Sequence, residues 1–191
     1  MDRIERLYNL LSDLYSNPVY LQQFINNRFI LILLVVFLIR LKYATYRSMW
    51  MAALINIPGT FLHEFMHFIV GVFMNAHPET LELFPKKSPD GDGYVMGSVA
   101  FSNLTFYNAC PTAFAPLGLL VIGYCLNRFW LPQIVPTYLN YIGYVLLQTI
   151  IIENSIPSSV DVKQALQFPH GLAMYFAIFA TILYFIYNFP R

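Results

Sequence analysis

Residues 61–70 read FLHEFMHFIV, which places two histidines and a glutamate inside an otherwise apolar run. On a helix, positions i and i+4 lie one above the other on the same face, so His63 and His67 can turn their rings toward one ion. Glu64 lies beside them without being a ligand. An ionisable side chain in a membrane-spanning helix is costly and usually has a function. The stretch therefore predicts a metal site within an apolar helix.

Composition predicts that the rest of the chain lies in a membrane. Of the 191 residues, 58% are apolar or aromatic and 11% are charged, whereas about 25% are charged in soluble proteins. A helix needs about 20 residues to cross the hydrocarbon layer. We predict five spans, at residues 29–41, 48–76, 109–127, 134–152 and 171–189. The first is short and contains Arg40, so it can span only when tilted or when its cations extend to the interfaces.

The first 27 residues are predicted to form an interfacial amphipathic helix. Ile4, Leu7, Leu11 and Leu14 recur at helical spacing with charged residues between them, a pattern typical of helices that lie in the membrane surface. The segment does not look like a secretory signal, because no short apolar core with a cleavage site follows the start. A net charge of +1 without a basic stripe argues against nucleic acid as a partner.

Two longer segments between the spans are predicted to be structured. In residues 75–107, a Pro and Asp-Gly cluster separates two stretches rich in strand formers, which indicates a β-hairpin. In residues 153–168, Pro157 interrupts a helix, and Ser158 or Ser159 can cap a new helical turn. The predicted fold is thus one domain over residues 1–191, an all-α integral membrane protein with a small membrane-associated hairpin.

A catalytic zinc site needs a third protein ligand and an open position for water. The candidates along the chain are His77, Asp90, Asp92, Glu153, Asp161 and His170. His77 lies about 15 Å beyond the second histidine if the helix continues, and Asp90 and Asp92 lie in the turn-like sequence SPDGDG. Asp161 is favoured because non-helical backbone at membrane depth is tolerated when it is buried or lines a cavity. Two further crossings also return the chain to the side on which the histidine helix ends.

These residues resemble the site-2 protease family of intramembrane zinc metalloproteases. HEFMH at 63–67 matches the family's HExxH, and ENSIPSSVD at 153–161 is similar to its N-x-x-P segment with a following Asp-Gly. LELFP followed by YVMGSVAFSN resembles its membrane-associated hairpin, and AFAPLGLL at 113–120 resembles its third core helix. The likeness covers residues 48–166, the predicted catalytic core. Val162 and Ala115 stand where the family usually has glycine, and no PDZ-like domain is inserted.

The resemblance implies a multi-pass zinc endopeptidase that cleaves a transmembrane protein within the lipid bilayer, in the cell membrane if the chain is bacterial. His63, His67 and Asp161 would bind Zn²⁺, and Glu64 would be the general base for a zinc-activated water. The strand-like segment 94–103 can pair with an extended substrate by β-addition, or the hairpin can simply fill the helix bundle.

Substrate contacts are predicted at Asn154, Gly97 and Ser98. Gly97 and Ser98 belong to the strand-like segment, and Asn154 lies two residues after the predicted span 134–152. Asn154 can bind the backbone of a substrate, or it can cap the end of its own helix.

Other functions remain open at the level of the sequence. The histidines could form the pathway of a metal-binding membrane transporter, although residues 171–189 offer few polar groups. The chain could also be a non-catalytic membrane relative of the proteases, although a purely structural zinc site does not need Glu64. The three polar residues could instead be hydrogen-bonded groups inside a helix bundle. No pattern predicts the oligomeric state.

Overall fold

The computed structural model describes residues 3–44, 49–87 and 94–188. They are mostly helical, with short antiparallel strands. The α-helices are α1 (Arg3–Ser16), α2 (Pro18–Asn26), α3 (Arg28–Ala44), α4 (Met49–Phe73), α5 (Ala109–Ala113), α6 (Gly118–Cys125), α7 (Tyr138–Glu153), α8 (Ser159–Leu166) and α9 (Pro169–Asn188). The strands are β1 (Pro78–Glu82), β2 (Lys86–Lys87), β3 (Tyr94–Val95) and β4 (Ser98–Phe101).

Contacts divide the chain into two compact units, residues 1–47 with 122–150 and residues 48–121 with 151–191. The organisation as one domain stays a prediction. The first unit has a core of aliphatic and tyrosine side chains from α2, α3 and α7, namely Leu21, Ile25, Leu31, Val35, Tyr141, Tyr144 and Val145. The second unit contains α4 with its two histidines, both pairs of strands, and helices α5, α8 and α9.

The predicted interfacial helix over residues 1–27 is two helices, α1 and α2. Asn17 separates them and caps α2, because its side-chain oxygen accepts the Val19 N–H at 2.9 Å and Pro18 occupies the first helical position, where its missing N–H costs nothing. A second break at Asn27 bends the chain by 69° between α2 and α3. Ile4 is exposed, with Leu7 and Leu11 on the same face of α1. An interfacial location of this face stays a prediction.

One helix in the described part of the chain, α9, is long and apolar enough to cross a membrane, and α2 with α3 meet the same test only if the bent pair is one span. α9 corresponds to the predicted last span, although residue 189 lies outside the described residues. α4 has 25 residues, but His63, Glu64 and His67 lower its mean hydropathy. By this measure the five predicted spans are not supported.

The predicted span over residues 109–127 is a broken helix. α5 ends at Ala113, a 3₁₀ turn covers Ala115–Leu117, and a π-helical turn, Leu126–Trp130, follows α6. Pro116 explains the first break, because proline has no N–H for the helical ladder and its ring clashes with the preceding turn. The predicted span over residues 134–152 is α7, which at 16 residues is shorter than the bilayer core requires.

The predicted hairpin is present as two short antiparallel ladders. β1 pairs with β4, with Leu81 opposite Val99. β2 pairs with β3, with Lys86 opposite Val95. The turn-like sequence SPDGDG, which contains Asp90 and Asp92, lies outside the described residues. Association of this hairpin with the membrane stays a prediction.

α4 ends in a turn that leads directly into the hairpin. Asn75 has a positive φ of 57°, a conformation that asparagine tolerates better than most residues. The Ala76 N–H donates to the Gly71 carbonyl at 2.8 Å, and the Asn75 N–H donates to the Val72 carbonyl at 3.2 Å. This is the Schellman pattern of a helix end. The Phe101 ring of β4 packs against Gly71, which places β4 alongside α4.

A buried asparagine joins the end of α4 to the start of α5. Nδ2 of Asn108 donates to the carbonyls of Asn103 at 2.9 Å and Met74 at 3.4 Å, while the Thr105 N–H donates to its Oδ1 at 2.7 Å. Asn108 is fully buried, and a buried amide is stable only when it is hydrogen-bonded. The network therefore fixes α5 beside α4.

Candidate metal centre

His63, His67 and Asp161 come together although Asp161 is 98 positions from the first histidine. The two Nε2 atoms lie 3.2 Å apart. Asp161 Oδ2 lies 3.3 Å from Nε2 of His63, and its Oδ1 lies 3.2 Å from Nε2 of His67. The three side chains are only 12%, 4% and 14% exposed. In the described part of the chain this is a group that could hold a metal ion.

The distances within this group fit a small tetrahedral cation. Zinc bonds imidazole nitrogen and carboxylate oxygen at about 2.0–2.2 Å, so neighbouring ligand atoms of a tetrahedral site lie about 3.3–3.5 Å apart. The Nε2–Nε2 separation of 3.2 Å is close to that edge length. Each imidazole lies 3.2 or 3.3 Å from a different oxygen of Asp161, and with one ligand atom from each residue the three atoms lie within 4.8 Å of one another. Three protein ligands would leave one position of a tetrahedron open, as in catalytic zinc sites.

Backbone carbonyls fix the orientation of both imidazole rings. Nδ1 of His63 donates to the Asn154 carbonyl at 2.8 Å, and Nδ1 of His67 donates to the Thr112 carbonyl at 2.7 Å. A carbonyl can only accept, so each Nδ1 carries the proton and each Nε2 keeps its lone pair. Partners of this kind fix the tautomer of metal-binding histidines. Both lone pairs therefore face the space in front of Asp161.

The carboxylate of Asp161 is held by the start of α8. The Ser158 N–H donates to Asp161 Oδ2 at 2.6 Å, and the Asp161 N–H donates to Ser158 Oγ at 3.2 Å. The two bonds form a capping box, which confirms the predicted serine cap and identifies it as Ser158.

Glu64 is buried beside the two histidines without joining the metal-binding group. The residue is 7% exposed, and a Cβ added to Gly97 would lie 2.8 Å from Glu64 Oε1. Gly97 therefore allows the turn before β4 to approach the carboxylate. None of the described residues forms a hydrogen bond to this carboxylate, so an oxygen is available to a molecule in the adjoining cleft.

A cleft of about 620 Å³ opens next to these residues. α4, the segment before and within β4, and residues 153–164 form its walls. The predicted substrate-binding residues Asn154, Gly97 and Ser98 all line it. The side chain of Asn154 lies against Gly59 of α4, where a Cβ would collide with its amide. The cleft has the size of an ordinary ligand site, and substrate binding by the three residues stays a prediction.

Of the other candidate ligands, His77, Glu153 and His170 do not join the group. Nε2 of His77 lies 2.9 Å from Asn75 Oδ1 in an exposed turn. Glu153 lines the cleft, whereas His170 begins α9 and does not line it. Asp90 and Asp92 lie outside the described residues.

Sequence reasoning did not find the two ring partners, the carbonyls of Asn154 and Thr112. Backbone atoms have no residue type, so no motif marks them. The available signal was proline: Pro116 follows Thr112 by four positions, and Pro157 follows Asn154 by three. Each proline removes an N–H that could have bonded the carbonyl in question.

No family model, curated protein or solved structure matches this chain. The likeness to the site-2 proteases therefore rests on the residues quoted above, and a function has to be argued from the chemistry of the site.

Proposed function

We propose that the chain is an intramembrane zinc endopeptidase that hydrolyses a peptide bond of a transmembrane protein. The observation that carries this proposal is the meeting of an HExxH helix with Asp161, next to a buried Glu64 that faces an open cleft. A purely structural site would be closed by a fourth protein ligand. Here a buried glutamate without a hydrogen-bond partner among the described residues lines the same cleft as the three ligands instead.

Zinc is the cation that the ligands favour. Two imidazoles and one carboxylate form a ligand set of intermediate softness, softer than the all-oxygen sites of Mg²⁺ or Ca²⁺. His₂-carboxylate sites of this type occur in zinc peptidases. When bound, zinc lowers the pKa of water and stabilises the oxyanion that develops on a peptide carbonyl. His63, His67 and Asp161 hold the cation, and their carbonyl and capping partners keep the three ligands in place.

Glu64 moves the proton of the hydrolytic reaction. It accepts a proton from the attacking water as the new C–O bond forms at the carbonyl carbon. It then returns that proton to the peptide nitrogen as the C–N bond breaks, so the products are a carboxylic acid and an amine. The position of Glu64 at the wall of the cleft, next to the histidines, suits both transfers.

The substrate is an extended stretch of a transmembrane helix that has unwound locally. Among the described residues, β4 pairs with β1 along one edge, and Ser98, Val99 and Phe101 of β4 line the cleft. The second edge of β4 can pair with an extended chain by β-addition. Asn154, on the opposite wall, can bind the backbone of the same chain.

Membrane embedding with five crossings is part of this proposal. Each predicted span carries a large apolar side chain that is more than half exposed, namely Phe37, Leu54, Val121, Ile142 and Phe179. Apolar exposure on this scale is typical of a membrane or protein interface. The short helices and the break at Pro116 require tilting or a thinned bilayer, and the polar residues of α4 require partners within the protein.

Glu64→Gln tests the catalytic role. The full chain is reconstituted in liposomes with tagged single-span reporter proteins, and the products are mapped by mass spectrometry. The variant should keep its zinc and lose at least about 10²-fold of the cleavage rate, because general acid–base catalysis contributes that much or more. Undiminished cleavage overturns the mechanism. Metal flux into the liposomes without cleavage by the wild type supports the transporter instead.

Asp161→Asn tests the metal site separately from catalysis. Zinc content of purified chain, measured by atomic emission, should fall in this variant and stay unchanged in Glu153→Gln, which alters a carboxylate of the same cleft outside the metal-binding group. Equal zinc in Asp161→Asn and wild type removes Asp161 from the ligand set.

A further inference from the structure

We infer that Pro116 and Pro157 are positioning residues of the metal centre, because each removes a local N–H donor from a carbonyl, that of Thr112 or of Asn154, which binds His67 or His63. The inference rests on the proposed zinc site and goes beyond it. It assigns a chemical task to two residues that lie outside the metal-binding group and do not line the cleft.

Pro116 acts on His67 through the backbone of α5. In a regular helix the Thr112 carbonyl would accept the N–H of residue 116, and proline has no N–H to donate. The Phe114 N–H points to this carbonyl as well, but it also donates to the Cys110 carbonyl at 3.0 Å, and the Thr112 carbonyl accepts Nδ1–H of His67 at 2.7 Å. Thr112 and Pro116 are both buried, so water cannot take the place of the missing donor. The buried carbonyl and the buried ring nitrogen satisfy each other.

Pro157 acts on His63 in the turn between α7 and α8. The Asn154 carbonyl could accept from residue 157 in a turn or from residue 158 in a helix. Pro157 has no N–H, and the N–H of Ser158 is engaged by Asp161 Oδ2 at 2.6 Å. Both local donors are thus removed, one by proline and one by the capping box. The carbonyl accepts Nδ1–H of His63 at 2.8 Å.

The same relation occurs a third time away from the metal centre. Pro111 follows Tyr107 by four positions, and the Tyr107 carbonyl accepts the hydroxyl of Tyr175 from α9 at 2.6 Å. A carbonyl that loses its local donor to proline is therefore bound by a distant side chain at three places in this unit. At two of them the side chain is a metal-binding histidine.

As a consequence, both imidazole rings have the tautomer with the proton on Nδ1 in the metal-free chain. With Nδ1–H committed to a carbonyl, each Nε2 presents its lone pair toward Asp161 before any cation arrives. A local N–H restored at position 116 or 157 would compete for the carbonyl and release the ring. The expected cost is about 10–100-fold in metal affinity, the usual effect of losing the partner that orients a ligand.

The test compares Pro116→Ala, Pro157→Ala and Pro58→Ala in the purified full-length chain. Zn²⁺ affinity is measured by competition with a chromophoric chelator, and the absorption of bound Co²⁺ reports ligand geometry. Pro58 is the matched control, because it lies within α4 itself but precedes both histidines. Its missing N–H would have bonded the carbonyl of Leu54, and that carbonyl binds neither ring. We expect weaker Zn²⁺ binding and an altered Co²⁺ spectrum in the first two variants, and wild-type values in the third.

Thermal unfolding of the metal-free proteins separates positioning from packing. Pro116 is buried, so its replacement can lower stability by itself, whereas Pro157 is only partly buried and provides the cleaner comparison. The positioning role is overturned if both Pro116→Ala and Pro157→Ala keep the wild-type Zn²⁺ affinity and Co²⁺ spectrum, whether or not they lose stability. That result would leave the zinc site itself intact. No Zn²⁺ binding by the wild type overturns the zinc site and the positioning role together.

Discussion

α4 and α9 are long apolar helices of the same compact unit, yet only α9 has the composition of a membrane span. α9 is almost wholly exposed, with 6% of its best apolar window buried. α4 carries two histidines and a glutamate, and the donors and acceptors that match the histidines come from α5, α8 and the turn before α8. The residues of the candidate metal centre therefore also account for the lower mean hydropathy of α4.

The two helices differ in where the hydrogen-bond partners of their polar side chains come from. The side-chain hydroxyl of Thr181 in α9 donates to the Ala177 carbonyl of its own helix at 2.8 Å, so this polar group needs no partner from another element. The imidazoles of α4 depend on carbonyls 91 and 45 positions away. Substitutions in α4 should accordingly change metal binding, whereas substitutions in α9 should change membrane insertion.

The largest effect is expected from the loss of a histidine ligand. His67→Ala removes one of three protein ligands, and the bound zinc of the purified chain should fall close to zero in atomic emission measurements. His170→Ala is the matched control, because it removes a histidine at the start of α9, outside the metal-binding group. If His170→Ala loses zinc as fully as His67→Ala, the contrast between the two helices is wrong.

A charge in α9 should have the next largest effect. Phe179→Lys places an ammonium group near the middle of the helix, at a position more than half exposed, and should cost about 2.5–3.5 kcal/mol of insertion free energy. Insertion is measured with glycosylation sites on either side of the helix, and Phe179→Leu serves as the apolar control. Equal insertion of the two variants would show that lipid does not surround α9.

How far the sequence predicts this molecule depends on whether the signal is local. The i, i+4 spacing of the histidines predicts their common face, and Pro157 with the following serines predicts the new helix that carries Asp161. The break in the third predicted span was missed because an apolar run hides a helix end. The residue that indicates this break is Pro116, and the resemblance gave that proline no structural role.

The two carbonyls that bind the histidines could not be predicted from residue types. Their partnership depends on which backbone groups tertiary packing brings to α4, and it becomes visible only in the folded chain. Proline spacing restricts the candidates, because it indicates which carbonyls lack a local donor. The N-terminal helix was predicted as one element for a related reason: its apolar period continues through Asn17 and Pro18, although those two residues form a helix start.

A contact on α4 should give an intermediate effect. Gly59→Ala adds a methyl group that collides with the Asn154 amide, and overpacking of this kind costs about 1–3 kcal/mol. Gly143→Ala in α7 is the matched control, because nothing lies within 4 Å of its added Cβ and alanine is favoured over glycine in a helix by about 0.5–1 kcal/mol. The unfolding free energies in detergent should change in opposite directions, and a fall in both would remove the special role of Gly59.

The smallest effect concerns the cap that presents Asp161 to α4. Ser158→Ala removes the hydroxyl that accepts the Asp161 N–H and should lower the unfolding free energy of the metal-free chain by about 1 kcal/mol. Ser159→Ala makes the same change one residue later, inside α8, and should have little effect. Zinc affinity should fall in Ser158→Ala alone, because the turn that presents the carboxylate loses one of the two bonds of its capping box. Equal zinc affinity in the two variants would mean that the capping box is not needed to place Asp161 beside α4. The carbonyls of Asn154 and Thr112, which bind the two imidazoles, would then alone distinguish α4 from α9.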